Sequence, residues 1–390
     1  MIEISDYKSA VEILRHPLMV QALYEKSPVI MADVLLTLEG DEHRDRRQVE
    51  YRVFDRYSLL GYEKDIFPCI FEPILQSHID SGSADLVEMG YRTVMNLTAD
   101  FAGIDRLANT MEETDALLKL IKTFSAAATI EHSKLAHKEI NEAALLALRL
   151  LETRFLQPAI SRRRKMIEAR SELPNDILSS LLQADTPMSD DIVLREIAFY
   201  LQAGAHSTAN AAVHAMHEIL TWCQQDKARR AVLLADRTLL QRCVHESLRL
   251  HPASPVSLRR AREAMEIAGR SLEAGDLVSV NLNRANRDRS VFGGDADDFI
   301  PDRHLPPAVR PYGLSFGYGI HACLGRDLDG GVVPKAVSDS QDMQLGIVGL
   351  MIEALLKAGA KWIAGLPPEP DAHTTRNNFS VYPIALEKAA

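Results

Sequence analysis

The residues best suited to chemistry in this sequence lie in FGYGIHACLG, positions 316–325. A cysteine sulfur that is to bind a metal must be kept deprotonated, which takes backbone N–H groups aimed at it and the positive end of a helix. Gly317, Gly319 and Gly325 let the backbone turn tightly around Cys323, Phe316 can shield the sulfur from water, and His321 can reach outward as a donor. The competing reading is a glycine-rich turn around an inert buried cysteine. A dinucleotide-binding reading of the glycines fails, because no βαβ unit surrounds them.

A second pattern is HESLRLHP, in which Glu246 and Arg249 stand three apart and share one face of a helix. Val244, Leu248 and Leu250 make that helix partly buried, and buried charges need partners. Arg303, in FIPDR, is a candidate to close a network with them. Taken alone, the segment reads equally as an ordinary surface ion pair.

These residues must be held by a mainly α body with small β-sheets. From Ser5 to about Leu250 the apolar residues recur at three- and four-residue spacing. The stretch from Asp190 to Leu220 is apolar on several faces, which predicts a long helix through the interior, with Ser189 as its N-cap and Asp190 and Asp191 in its first turn. After His251 the texture changes to Pro, Gly, Asn and Asp punctuation with short strand-like pieces, AMEIAG and DLVSVNL, and helix returns near Gln344. SRRRK at 161–165 reads as a solvated charge run. No linker divides the chain, so one domain over 1–390 is expected.

Composition fits a globular enzyme: 390 residues, 46% of them hydrophobic, can fill a sizeable core. A net charge of −10 argues against nucleic acid or an anionic membrane as the main partner. The four cysteines, Cys69, Cys223, Cys243 and Cys323, form no Cys-x-x-Cys pair, so neither a zinc cage nor a disulfide framework is indicated. With no basic, continuously apolar start and no span-length apolar segment, a soluble cytoplasmic protein is expected.

In this order and separation, the segments resemble cytochrome P-450 sequence over nearly the whole chain. LRHP resembles the region after the first helices, and DEHRDRR the helix whose His and Arg, here His43 and Arg47, contact haem propionates. AGAHSTAN resembles the oxygen-binding stretch of the long central helix. HESLRLHP carries the Glu-x-x-Arg pair, SLRRA offers Arg259 as a further propionate contact, and ANRDRSVF and FIPDR match the strand and meander that bring Arg303 to the network. FGYGIHACLG then is the cysteine loop, with His321 donating to a propionate. The resemblance implies non-covalent haem b, iron held by Cys323, and a fold of the cytochrome P-450 type. It implies insertion of one oxygen atom from O2 into a small hydrophobic substrate, with electrons from a ferredoxin-type partner. Ala203, Ala253, Ser254, Val256 and Phe379 are the expected pocket positions, and Arg44, Arg46, Arg52, Arg56 and Arg326 the expected docking patch for an acidic ferredoxin.

The sequence departs from the family in three places. Where an acid and then Thr normally relay protons, this chain has His206 and Ser207, followed by Thr208; Ser207 is the expected hydrogen-bonding hydroxyl, and His206 reads equally as a link to solvent and as a structural hydrogen-bonder on a buried helix. The stretch before His43 is short, so the N-terminal helix and outer strands should be reduced or absent, with a small lid and an open distal pocket. After Cys323, RDLDGGVVPKAVSDSQD contains helix breakers where a continuous helix is usual, which implies an inserted loop. The altered relay leaves a peroxide-dependent oxygenase as one alternative and a non-catalytic haem-binding relative as another.

Overall fold

Along Val256–Ala261 every second residue, Ser257, Arg259 and Ala261, is buried, the period-two pattern of a strand with one inward face. It is one of four strands in a small sheet: β1 (Ile2–Ile4), β2 (Met19–Gln21), β3 (Val256–Ala261) and β4 (Leu277–Asn281). The order is β1-β4-β3-β2, with β1 parallel to β4 and the other pairs antiparallel. The N-terminal strands are therefore present, as three-residue edges of this sheet. Beneath it Ile4, Tyr7, Ile13, Val278, Val280 and Leu314 form a local core. The computed structural model describes residues 1–107, 110–333 and 343–387.

Most of the described chain is helical, as the periodicity implies. Six helices matter for the site: α1 (Gly40–Glu50), α2 (Leu86–Ala102), α3 (Asp190–Gln225), α4 (Arg237–Leu250), α5 (Arg326–Gly330) and α6 (Gly346–Lys357). The 36 residues of α3 span about 54 Å at the usual helical rise. Its N-terminus is capped as expected, the Ser189 hydroxyl accepting from Ile192 N at 3.4 Å. Buried residues on every face, among them Val193, Phe199, Ala205, Ala209 and Met216, place α3 inside the large helical core, against α2 and α6.

The charge run at 161–165 is only partly solvated. Arg163 is buried and donates to Asp105 at 2.6 Å and Asp176 at 2.7 Å, so this arginine ties a helix to two neighbouring segments rather than facing water. Arg46 also turns inward, 2.5 Å from the buried Glu196 carboxylate, and is withdrawn from the surface patch expected of it.

The helix after the cysteine is interrupted, as its breakers predict. α5 ends at Gly330, and the chain resumes as α6 from a point in backbone contact with the break: Val332 N donates to Gln344 O at 3.0 Å, and a Cβ on Gly346 would lie 2.3 Å from Gly331 N. Gly346 also has φ +73°, so both space and conformation require glycine. Buried Gln241 on α4 donates to Gly330 O and Leu345 O, and Glu63 accepts from Leu345 N and Gly346 N at the start of α6. The excursion thus leaves and re-enters at one pinned point, while its residues 334–342 lie outside the described residues.

Arg249 on α4 is fully buried and organises the irregular stretch that follows. Its guanidinium donates to both Glu246 oxygens at 2.7 Å, to Asn286 O and Ala296 O at 2.7 Å and to Asp298 O at 3.3 Å. Arg303 donates to Glu246 at 3.1 Å and to Asp295 at 2.6 Å. The three residues expected to form a network are brought together. Removing the guanidinium strands a buried carboxylate and several carbonyls, so Arg249→Met should lower the unfolding free energy by about 3–5 kcal/mol, measured by urea denaturation. Arg303→Met, with a partner nearer the surface, should cost less.

Candidate functional site

A cavity of about 340 Å³ lies between α3 and the loop that carries Cys323. The loop is built from turns: Gly317 N donates to Leu314 O at 2.8 Å, Ala322 N to Gly319 O at 3.2 Å, and Cys323 N back to Phe316 O at 2.8 Å. Gly319 has φ +75°, and a Cβ there would lie 2.4 Å from Leu14 O. Arg47 on α1 clamps the loop from the other side, its Nη2 donating to Ala322 O at 2.8 Å. The Phe316 ring stands edge-on to Tyr312, with centroids 5.1 Å apart.

Cys323 lies deep yet has accessible surface, because its side chain lines the cavity. Burial pushes its thiol up to about 11, and Asp329 adds to the rise; the Gly325 N–H, Arg47 and Arg326 pull the other way.

Around the same cavity are His43, Arg47, Arg259 and His321. The His43 and His321 rings meet edge to face with centroids 4.7 Å apart. His321 Nε2 lies 3.1 Å from Glu39, and its Nδ1, like His43 Nε2, is buried without a hydrogen-bond partner. Strand alternation turns Arg259 inward, where it donates to Gln21 and Ser257 at 2.7 Å. Burial pushes His43 down to about 4, helped by the charges of His321 and Arg47. Glu39 keeps a lowered value despite its burial, through hydrogen bonds from His321 and Gln21 N.

Such a cavity fits haem b. Apolar walls from Phe54, Leu248, Leu324 and Leu328 suit a flat macrocycle, and orphaned donors on His43 and His321 beside two arginines suit its two carboxylates. Cys323, the donors and the apolar walls face one space, and Phe316, Gly317 and Gly325 line it too.

Across from Cys323, Ala203, His206, Ser207 and Thr208 of α3 line the cavity, with Ala253 and Ser254. Ser207 Oγ donates to Ala203 O at 2.5 Å. Thr208 is buried near Asp329 of α5, whose carboxyl burial pushes up to about 6, with the Thr208 hydroxyl acting against the rise. His206 makes two contacts, Nδ1 with the Tyr91 hydroxyl at 2.6 Å and Nε2 with Arg376 Nη1 at 3.1 Å. Burial first, then the charges of Arg376 and His132, push it down to about 3, so it is a neutral imidazole.

Two expected pocket residues lie elsewhere. Phe379 packs against His214, His217 and Tyr382, with centroids 5.1 to 5.6 Å apart, because its strand runs behind α3. Val256 starts β3 opposite Asn281 and is absent from the lining. Glu39, Tyr91, His132, Asp329 and Arg376 were not singled out from sequence. None sits in a motif, and Arg376 stands in an irregular stretch whose path only the fold reveals.

The family profile described as cytochrome P450 matches residues 138–328. Pulcherriminic acid synthase of Bacillus subtilis is 25% identical over 332 residues, covering 83% of this chain and 77% of that protein. The bifunctional cytochrome P450/NADPH–P450 reductase 2 of the same organism is 29% identical over 188 residues, 41% of this chain and 18% of that longer protein. Cytochrome P450 119 of Sulfolobus acidocaldarius is 32% identical over 141 residues, 36% of this chain and 35% of its own length. The solved structure of P450BioI with an acyl carrier protein superposes with a TM-score of 0.76 at 18% identity, covering 99% of this chain and 92% of that one. CYP109E1 from Bacillus megaterium with testosterone gives 0.74 at 20% identity, with 98% and 92% covered. At these identities the structural likeness establishes the fold.

Buried neutral histidines make stability pH-dependent. His206 and His214 near 3, and His132 and His245 near 4, refuse protons that the same imidazoles accept in the unfolded chain at about 6.5. The unfolded state binds more protons in that interval, so the unfolding free energy should fall as pH is lowered from about 6.5 to 4, and His206→Gln should flatten the slope. Urea titrations at several pH values check both.

Proposed function

This chain belongs to the cytochrome P450 family, and from that premise we propose that it inserts one atom of O2 into a small, largely hydrophobic organic substrate, with electrons from a ferredoxin-type partner. Family members are haem-thiolate oxidoreductases of the monooxygenase kind, and their cofactor is haem b. The observation that carries the reading is the arrangement of Cys323 on one wall of the cavity and the His206–Thr208 stretch of α3 on the other. When bound, haem supplies the oxygen activation, and a thiolate ligand favours O–O cleavage.

The remaining work falls to the chain. Cys323 would hold the iron, with Arg47 and Arg259 as cations and His43 and His321 as hydrogen-bond donors for the carboxylates of the cofactor. The Ser207 hydroxyl, now satisfied by Ala203 O, can rotate to present its proton to the cavity. Leu97, Phe101, Ala203 and Ala253 exclude water around an apolar substrate. Among the family's expected proximal arginines, Arg52 and Arg56 are exposed, and Arg326 is half-exposed beside Asp327, which leaves a basic surface for an acidic redox partner.

A peroxide-dependent reaction is the second reading. What favours it is His206: both ring nitrogens are engaged by Tyr91 and Arg376, so this imidazole is not free to bring protons from solvent to Ser207.

Labelled dioxygen tests the main reading: product formed with NADPH, ferredoxin and reductase should carry one labelled oxygen atom. Label arriving only from labelled hydrogen peroxide, with no turnover on the reductase system, selects the second. Ser207→Ala should leave haem content unchanged while lowering product per NADPH consumed, since an unpositioned water protonates less selectively. Charge reversal at Arg52 and Arg56 should slow reduction by an acidic ferredoxin, and raising ionic strength should shrink the difference between variant and wild type.

A further inference from the structure

The cavity holds one guanidinium that its cofactor does not account for. His43, Arg47, Arg259 and His321 lie around the Cys323 loop and face two haem carboxylates under the reading above. Arg376 is a separate cation. It lines the same cavity, but its Nη1 lies 3.1 Å from His206 Nε2 on α3, the opposite wall. Among the described residues no carboxylate lies within ion-pair distance of Arg376, and its Nε is buried without a hydrogen-bond partner.

An unpaired guanidinium in such a place is expensive unless a ligand completes it. The chain nevertheless holds it firmly. Thr375 N donates to His132 O at 2.8 Å, Lys134 N to His373 O at 3.0 Å, and Arg376 N to Thr374 Oγ1 at 3.2 Å, so the segment is laced to the turn at Ile130–His132. His206, held neutral, accepts from Nη1, and its Nδ1–H then donates to Tyr91, which also receives Asn210 Nδ2 at 3.3 Å. This fixes one corner of the guanidinium and leaves the Nε edge, the side-on fork that a carboxylate binds with two hydrogen bonds. His132, buried and lining the cavity, has an unpartnered Nε2 beside the same segment.

We propose that Arg376 anchors a carboxylate on the substrate, so that the substrate is an amphipathic acid whose apolar body lies over the cofactor and whose charged end is held at the α3 wall. This rests on the monooxygenase reading and narrows its substrate class. His206 then acts as a positioning residue for Arg376, which accounts for a histidine where relatives of the family carry an acid: a carboxylate at 206 would neutralise the guanidinium and compete with the substrate.

The test uses the haem-loaded protein and straight-chain acids from hexanoate to dodecanoate, each paired with its methyl ester, with acetate as a free small anion. Binding is followed by calorimetry and by the absorption change on ligand entry. For the chain length that binds best, the acid should bind about tenfold or more tighter than its ester, the effect of a charge-assisted hydrogen bond. Arg376→Gln should abolish the preference, and Arg376→Lys, which keeps the charge without the fork, should retain part of it. Equal binding of acids and esters, or a preference that survives in Arg376→Gln, overturns the proposal. So does acetate binding as tightly as the longer acids, which marks a simple anion site, or loss of haem in Arg376→Gln, which makes Arg376 a cofactor anchor. Failure of the wider reading is seen separately, in the carbon monoxide spectrum of the wild-type protein, which does not depend on Arg376.

Discussion

A sulfur atom buried in a cavity resists ionisation, and the arrangement around Cys323 follows from that constraint. Burial and the Asp329 carboxyl raise the thiol to about 11, while one N–H and two arginines oppose the rise without reversing it. A cation held on the sulfur would favour its thiolate form. A ligand so placed must also be rigid, and the chain supplies a continuous path of support. Arg249 binds Asn286 O; Asn286 donates to Ser315 and accepts from Leu314 N; Leu314 O holds Gly317; and Phe316 O holds Cys323 N. The Glu246–Arg249–Arg303 cluster is thus a buttress for the loop that carries Cys323, reached through one asparagine.

The second consequence concerns charge on the far wall. Arg47 and Arg259 stand where cofactor carboxylates would meet them under the proposed function, but Arg376 is matched by no carboxylate among the described residues. Neutral His206 stands in a chain of hydrogen bonds from Tyr91 to Arg376. The residue that departs most from the family pattern is in this way explained by its contacts.

Much of this was legible in the sequence because it rests on local pattern. The cap at Ser189, the unbroken apolar faces of α3, the alternation in VSLRRA and the glycines of the cysteine loop each leave a signature within a few residues. That His43, Arg259 and His321 share one cavity with Cys323 was legible only through resemblance, since they come from three distant segments. What stayed hidden depends on long-range meeting: Arg376 reaches His206 across 170 positions, and Glu39 reaches His321 across 282. Phe379 and Val256 show the converse. Both are apolar residues near the right elements, but the direction in which a strand presents its side chains decides whether they face the cavity or the core. Arg46 and Arg163 show the same for charge: an arginine-rich run reads as surface until a buried carboxylate turns one member inward.

The central claim is that Cys323 is a thiolate ligand to haem iron in this cavity. The absorption spectrum of the purified, reduced protein with carbon monoxide tests it most directly, compared between wild type and Cys323→His. The wild type should give the red-shifted Soret band of a thiolate-ligated haem, and Cys323→His, with haem retained, the shorter-wavelength band of imidazole ligation. A wild-type protein that binds haem but shows the imidazole-type band, or a red-shifted band that survives in Cys323→His, would contradict the account.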